Sequence, residues 1–133
     1  MTIEEGATAT ATLTVAPHDL ASVLNFEPGD EFPAVFATSR MIALMEVAAA
    51  RALRPILQDG QLSVGVTVDV MHTAATPLGG RVTATAKLIA REGKLFVFEV
   101  SAADDAGEVG RGTHKRAIIS GERLLAGAAQ RKA

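Results

Sequence analysis

Met41-Ile42-Ala43-Leu44-Met45-Glu46-Val47-Ala48-Ala49-Ala50 is the stretch that decides the fold. It has the composition of a helix buried in a core, and Glu46 is the only Asp or Glu between Phe32 and Gln58. At roughly 100° per residue, Arg40, Arg51, Arg54 and Gln58 fall on one stripe, which is the solvated face; Glu46 lies roughly 120° away, among the apolar residues. A carboxylate in that position has to pair, stay protonated or face a cleft, because burying it as an unpaired anion is costly. The helix is expected to start at Thr38 or Ser39, either hydroxyl serving as N-cap. It is expected to run to Leu57 and end at Asp59-Gly60, with Pro55 perturbing its last turns.

Around this helix the chain reads as strands. Ala7 to Val15 alternates strictly between threonine and apolar residues, the pattern of a half-buried strand. Pro17 to Pro33 reads as irregular, with a turn at Pro28-Gly29-Asp30. After the helix, Val64, Val66, Val68 and Val70 share one face of a strand, and Gly65, Thr67, Asp69 and Met71 the other. Thr76-Pro77-Leu78-Gly79-Gly80 turns the chain. Val82 to Ala90 and Leu95 to Ala102 alternate again across Glu92-Gly93, with Phe96, Phe98 and Val100 suited to cover the helix. Asp104-Asp105-Ala106-Gly107 leads into a last strand, Val109 to Ile119. The Ala/Arg/Lys tail beyond Arg123 is expected to fray or form a short helix. Strands joined by such short links are mostly antiparallel. The fold class is α+β: one domain over 1–133, with a curved antiparallel sheet wrapped around a single central helix.

Composition excludes several functions. A net charge of −2 and the lack of a basic stripe interleaved with aromatics argue against nucleic acid. No apolar run is long enough to span a membrane and the N-terminus lacks a signal-peptide layout, so a cytoplasmic location is expected. The chain has no cysteine, which removes disulfides, thiolate nucleophiles and cysteine metal sites. His18, His72 and His114 lack metal-ligand spacing, so no metal is expected. There is no phosphate-binding glycine loop and no GxSxG, and no cofactor is expected.

Four segments carry a resemblance: Phe32-Pro33-Ala34-Val35-Phe36-Ala37-Thr38, Leu44-Met45-Glu46, His72-Thr73-Ala74-Ala75-Thr76-Pro77 and Gly112-Thr113-His114-Lys115-Arg116-Ala117. In order and spacing, from about Phe32 to Ile119, they resemble the fluoroacetyl-CoA thioesterase family, whose domains have the hotdog fold. The resemblance implies hydrolysis of an acyl-CoA to the acid and free coenzyme A, with coenzyme A belonging to the substrate. It also implies a homodimer, and pairing of an exposed edge strand would remove a physical liability. The family's catalytic Thr, Glu and His map onto Thr38, Glu46 and His72. Its glycine that helps place the thioester maps onto Gly65, its acyl-pocket phenylalanine onto Phe32, and its last-strand arginine onto Arg116. Ser39, Arg40 and Val47 stand where the fluoroacetyl enzyme has a glycine, a phenylalanine and a tryptophan, so the resemblance carries the hydrolysis and not the acyl preference.

Each residue also has a plainer reading. Glu46 either pairs with Arg116 as a structural carboxylate or acts as a base or nucleophile, its pKa raised by desolvation. His72, on the Val64/Val70 face at a strand end, is either a satisfied structural histidine or the group that orients Thr38, activates water or protonates the departing thiolate. Thr38 is either a cap or a nucleophile that needs an adjacent base, for which His72 is the more direct partner. The free amides and dipole of the helix start suit a developing oxyanion. Phe32 and Phe36 are loop anchors unless a pocket opens beneath them. His114 and Arg116 read as exposed polar residues on an edge strand, unless Arg116 holds the catalytic group or the pantetheine. Arg111, Lys115 and Arg123 are either phosphate contacts or scattered surface charge. Two rival functions remain: an enoyl-CoA hydratase using Asp69 and His72, which should face opposite sides of the strand, and a non-catalytic acyl-CoA binder.

Overall fold

The computed structural model describes residues 2–131. Met1, Lys132 and Ala133 lie outside the described residues, as do the end of the C-terminal tail and the two extremes of the expected 1–133 domain. The chain runs β1 (Thr8–Thr14), two 3₁₀ turns (Pro17–Asp19 and Ala21–Leu24), α1 (Thr38–Leu53), a further 3₁₀ turn (Arg54–Ile56), β2 (Gln61–His72), β3 (Arg81–Glu92), β4 (Leu95–Asp104), β5 (Gly107–Ser120) and α2 (Gly121–Gln130). The strands form one antiparallel sheet in the order β1-β3-β4-β5-β2, which leaves β1 and β2 as its edges.

Alternation drives the packing. Val82, Ala84, Ala86 and Leu88 of β3 and Phe96, Phe98, Val100 and Ala102 of β4 are buried, and they meet Met41, Leu44, Met45, Ala48, Ala49, Ala52 and Leu53 of α1. The alanines bring the helix axis close to the sheet. Gly110 of β5 serves the same approach, since a methyl group there would lie 2.5 Å from Sδ of Met41.

Four expectations require correction. Thr38 and Ser39 do not cap α1: Ala37 is the N-cap, without a side-chain bond, and Thr38 is the first helical residue. The α-helix stops at Leu53, four residues before Leu57, because the Pro55 ring cannot continue the ladder and the chain tightens into the 3₁₀ turn. The valine face of β2 is broken by a bulge between Gly65 and Thr67. The extra residue reverses the parity, so Gly65 faces α1 upstream of it while Val68, Val70 and His72 share the helix side downstream. Finally, β5 is not an edge: it lies between β4 and β2, and both His114 and Arg116 are buried.

Upstream of α1, Asp19 fastens the helix start. Its buried carboxylate accepts the Ala16 amide and Arg40 Nε, each at 2.9 Å, and its carbonyl accepts the Ala37 amide at 2.9 Å. The tail forms α2, with Ser120 Oγ accepting the Arg123 amide at 3.2 Å. Gly110→Ala would set the added methyl against Met41 Sδ and also 2.7 Å from the Met71 carbonyl oxygen, which cannot swing away, and is expected to cost about 3 kcal/mol. Urea denaturation should show a lowered midpoint at unchanged slope, and an unaltered midpoint would remove the close-approach argument.

Candidate active site

The start of α1 and the end of β2 meet at a cleft. Thr38 leaves the N-cap role to Ala37, so its hydroxyl is free, and it lies 2.8 Å from Nδ1 of His72. Phe36, buried, places its ring edge-on to the imidazole with centroids 6.4 Å apart and an interplanar angle of 81°. Phe32, 45% exposed, forms the rim of the cleft, whose volume is about 380 Å³ and whose walls include Pro33, Val35 and Ala75. Phe36 anchors the loop in the core and also lines this cleft, and Phe32 stands exposed at its rim. His72 Nε2 is buried without a hydrogen-bond partner among the described residues. If Nδ1 accepts the Thr38 proton, Nε2 carries the ring hydrogen.

At the helix start, the Arg40 and Met41 amides turn back to the Ala37 carbonyl at 3.1 and 3.0 Å. The Ala37 amide is held by Asp19. The Thr38 and Ser39 amides have no acceptor among the described residues. Two free N–H groups at the positive end of the helix dipole therefore lie beside the Thr38–His72 pair.

Glu46 belongs to a second cluster. It follows Thr38 by eight residues, a rise of about 12 Å along the helix, and it makes no bond to Thr38 or His72. Its Oε2 accepts Arg116 Nη1 at 3.0 Å. The Arg116 side chain is 6% exposed and that of Glu46 is 41% exposed, so the carboxylate is reachable while its partner is not. Glu46 therefore lies at the edge of the open helix face beside Val47 and Ala50, rather than in the core. Arg116 also donates from Nε to Ser63 Oγ at 3.0 Å, from Nη2 to the Ser63 carbonyl at 2.8 Å, and from Nη1 to His114 Nε2 at 3.2 Å. Gly65 makes room for this cluster, since a methyl group on it would lie 3.0 Å from Glu46 Oε2 and 3.2 Å from His114 Cε1.

Sequence reasoning did not find Ser63 or His114 as members of this cluster, although their spacing of two from Gly65 and Arg116 was the available signal. It also missed the Asp19–Arg40 pair. Of the candidate phosphate contacts, Lys115 is tied to Glu92 at 2.7 Å, and Arg111 lies 3.9 Å from Glu108 on the outer face. No group of metal-ligating side chains occurs among the described residues.

Electrostatics follow burial. Burial pushes the His114 imidazole below its ordinary range; the Thr67 carbonyl opposes this, the Arg116 cation reinforces it and Glu46 opposes it. Burial raises Asp19, but the Ala16 amide, the bond from Arg40 and the nearby charges outweigh it and hold the carboxyl below the usual range.

A five-stranded antiparallel sheet curled around one helix, with an open cleft and a Thr–His pair at that helix's start, defines a thioesterase of the hotdog superfamily. A sequence profile for the fluoroacetyl-CoA-specific thioesterase matches residues 15–122. The fluoroacetyl-CoA thioesterase of Streptantibioticus cattleyicolor is 46% identical over 114 residues, covering 84% of this chain and 82% of that one. A solved structure of a fluoroacetyl-CoA thioesterase superposes with a TM-score of 0.93 at 41% identity over 100% of both chains. A Thermus thermophilus thioesterase superfamily member gives 0.85 at 27% identity, covering 97% of this chain and 93% of that one. The chain belongs to the fluoroacetyl-CoA-specific thioesterase family.

The depressed His114 gives a pH signature. The unfolded chain takes up a proton near the ordinary value of 6.5 that the folded state refuses until lower pH. Its contribution to stability is therefore complete above 6.5 and is lost as pH falls toward the folded value. Asp19 acts in the same direction from its ordinary value of 3.8 downward. Thermal melts between pH 7 and 5 should show the midpoint falling with acid, and less steeply in His114→Gln. Equal slopes would mean that His114 titrates alike in both states.

Proposed function

We propose that this thioesterase acts on a short acyl-CoA, with Thr38 and His72 forming the nucleophilic pair and Glu46 the general base for water. The observation that carries this reading is the 2.8 Å contact between Thr38 and His72, at a helix start with two free amides. The thioester carbonyl sits over those amides. Thr38 Oγ attacks the carbonyl carbon while His72 Nδ1 takes the hydroxyl proton, and the oxyanion is held by the Thr38 and Ser39 N–H groups. Collapse breaks the C–S bond, and His72 returns the proton to the coenzyme A thiolate. A water then attacks the Thr38 ester as Glu46 takes its proton. Collapse of the tetrahedral intermediate breaks the bond between the acyl carbon and Thr38 Oγ, and the proton passes from Glu46 to Oγ, releasing the acid and restoring the hydroxyl.

The distance between Glu46 and the Thr38–His72 pair within one protomer supports a homodimer built through the β2 edge. Val66, 51% exposed, and Val68 lie on that edge, and Val47 and Leu62 are exposed nearby. Antiparallel pairing of two β2 strands about an axis near Asp69 would set Gly65 of each opposite His72 of the other, Val66 being bulged out of the ladder. The partner's Glu46 would then serve this protomer's Thr38 and His72.

A cleft of about 380 Å³ with Phe32 at its rim fits a small acyl group and the first atoms of the pantetheine. Structures of the related fluoroacetyl-CoA thioesterase include a threonine variant with fluoroacetate, a threonine variant with acetyl-CoA and a phenylalanine variant with fluoroacetate and CoA. The altered phenylalanine and threonine of that protein are six residues apart, as are Phe32 and Thr38. Arg116 supports catalysis by holding Glu46. The hydratase reading loses its acid, since Asp69 lies with Glu99 and Arg111 on the sheet face away from His72. No helix among the described residues is long and apolar enough to cross a membrane, and a cytoplasmic location fits the cysteine-free composition. No cofactor or metal enters the scheme.

Thiol release from a panel of acyl-CoAs, from acetyl and fluoroacetyl to medium-chain and aryl, tests the substrate class. Short acyl groups are expected to turn over fastest, with Thr38→Ala, His72→Ala and Glu46→Gln each lowering kcat by about 10²–10⁴-fold. Thioester binding without release in the native protein would favour the binder, and an undiminished Thr38→Ala would leave a water as the only nucleophile. Mixing Thr38→Ala with Glu46→Gln protomers should restore part of the activity, since one of the two shared sites in a mixed dimer is then intact. No recovery in confirmed mixed dimers would place Glu46 and Thr38 of one site on the same protomer.

A further inference from the structure

We propose that His114 is a positioning residue for Glu46, acting through Arg116 as a neutral imidazole that fixes which way the guanidinium points. This rests on the reading of Glu46 as the general base. The tautomer follows from the partners alone. Nδ1 lies 2.9 Å from the Thr67 carbonyl, which can only accept, so Nδ1 carries the hydrogen. Nε2 is then a bare acceptor facing Arg116 Nη1 at 3.2 Å, and arginine can only donate.

Nη1 has two hydrogens: one goes to His114 and the other to Glu46 Oε2. Ser63 binds the remaining side of the guanidinium through Nε and Nη2. Glu46 is a partner of Arg116 that opens toward solvent, its side chain 41% exposed, whereas His114 is 1% exposed and hemmed in. Without the Nε2 acceptor, one buried Nη1 hydrogen is orphaned and the guanidinium can pivot about its Ser63 bonds to find another partner, carrying the Glu46 carboxylate with it.

Protonation of His114 would set N–H against N–H and open the clamp. Among the groups facing His114, Glu46 from α1 and Arg116 from its own strand are the charged ones; β2 presents Ser63, Gly65, Val68 and the Thr67 carbonyl, and β4 presents Phe98. A purely structural role would be met by any side chain that fills the same volume. A positioning role demands an acceptor aimed at Nη1.

The test is a double-mutant cycle read by thiol release at pH 7. His114→Leu is expected to lower kcat by about 10- to 100-fold with KM within about threefold. His114→Gln, whose amide can donate to Thr67 and accept from Arg116, should recover to within about fivefold of wild type. In a Glu46→Gln background, His114→Leu should cost no more than about twofold, because the group it positions is already disabled. Equal losses in both backgrounds, no loss from His114→Leu alone, or a Gln variant as poor as the Leu variant would overturn the proposal. A Glu46→Gln enzyme as fast as wild type would overturn the general-base reading and this inference together, and that single variant tells the two failures apart. If His114→Leu does not fold, nitrogen NMR of the wild-type imidazole at pH 7 decides: a protonated Nδ1 with bare Nε2 supports the clamp, and the opposite tautomer removes it.

Discussion

The structure depends on α1 being packed from one side. A single sheet of five strands can curl far enough to cover one stripe of the helix, and Met41, Leu44, Met45, Ala48, Ala49, Ala52 and Leu53 form that stripe. Small residues dominate its centre because the sheet can curl tightly only where the helix comes close, and Gly110 extends the same economy to β5. The consequence appears on the opposite side. Val47, Ala43 and Ala50 remain at the surface beside Glu46, although the sequence there is as apolar as the packed stripe. In the proposed homodimer this open apolar face is the one the partner would cover. The same one-sidedness makes Glu46 reachable.

Arg116 is the electrostatic counterpart of that arrangement. Burying a guanidinium is costly, and the cost is recovered only when its hydrogens are matched with acceptors in good geometry. Ser63 supplies two such bonds, His114 one and Glu46 the charge. Three of the four are neutral, so the cation depends on Glu46 for its compensation, and Glu46 in turn is held as an anion-ready acceptor at a defined point of the open face. The β2 bulge belongs to the same construction. It reverses the strand parity between Gly65 and Val68, so that the glycine faces Glu46 and the histidine at the far end of the strand still faces Thr38. A regular strand would turn one of those two residues to the outer face.

Most of the fold was legible because each element had one dominant period. The Thr/Ala alternation of β1, the aromatic face of β4 and the long apolar helix left one architecture that buries all of them. What was hidden depended on registers and partners that a period does not encode. Four valines at spacing two in β2 read as one face, and Gly65, a glycine inside a strand that can mark a bulge, was read only as a place of close approach. His114 and Arg116 looked like edge residues because their strand's place between β4 and β2 is a property of the sheet order. Thr38 looked like a cap because its type and position suit one; Ala37 took the place because Asp19, a distant residue, already held its amide. The Glu46–Arg116 pair was foreseen as one of two readings of Glu46, and the pair is compatible with both.

Asp19 also bears on the chemistry at the helix start. Arg40 introduces a cation into the first turn of α1, where the helix dipole is already positive and a further positive charge is unfavourable. The buried Asp19 carboxylate takes the Arg40 Nε at 2.9 Å, and the pair is neutral as a unit. A free Asp19 so close to the Thr38 and Ser39 amides would oppose any negative charge developing on a bound carbonyl, and a free Arg40 would compete with those amides for it. Paired, the two cancel, so that in the proposed mechanism neither charge dominates the field of the free backbone amides at the helix start. The helix start is thus fixed by backbone bonds and by the Asp19–Arg40 pair, while Phe32 projects at the rim of the cleft without such a tie on its side chain.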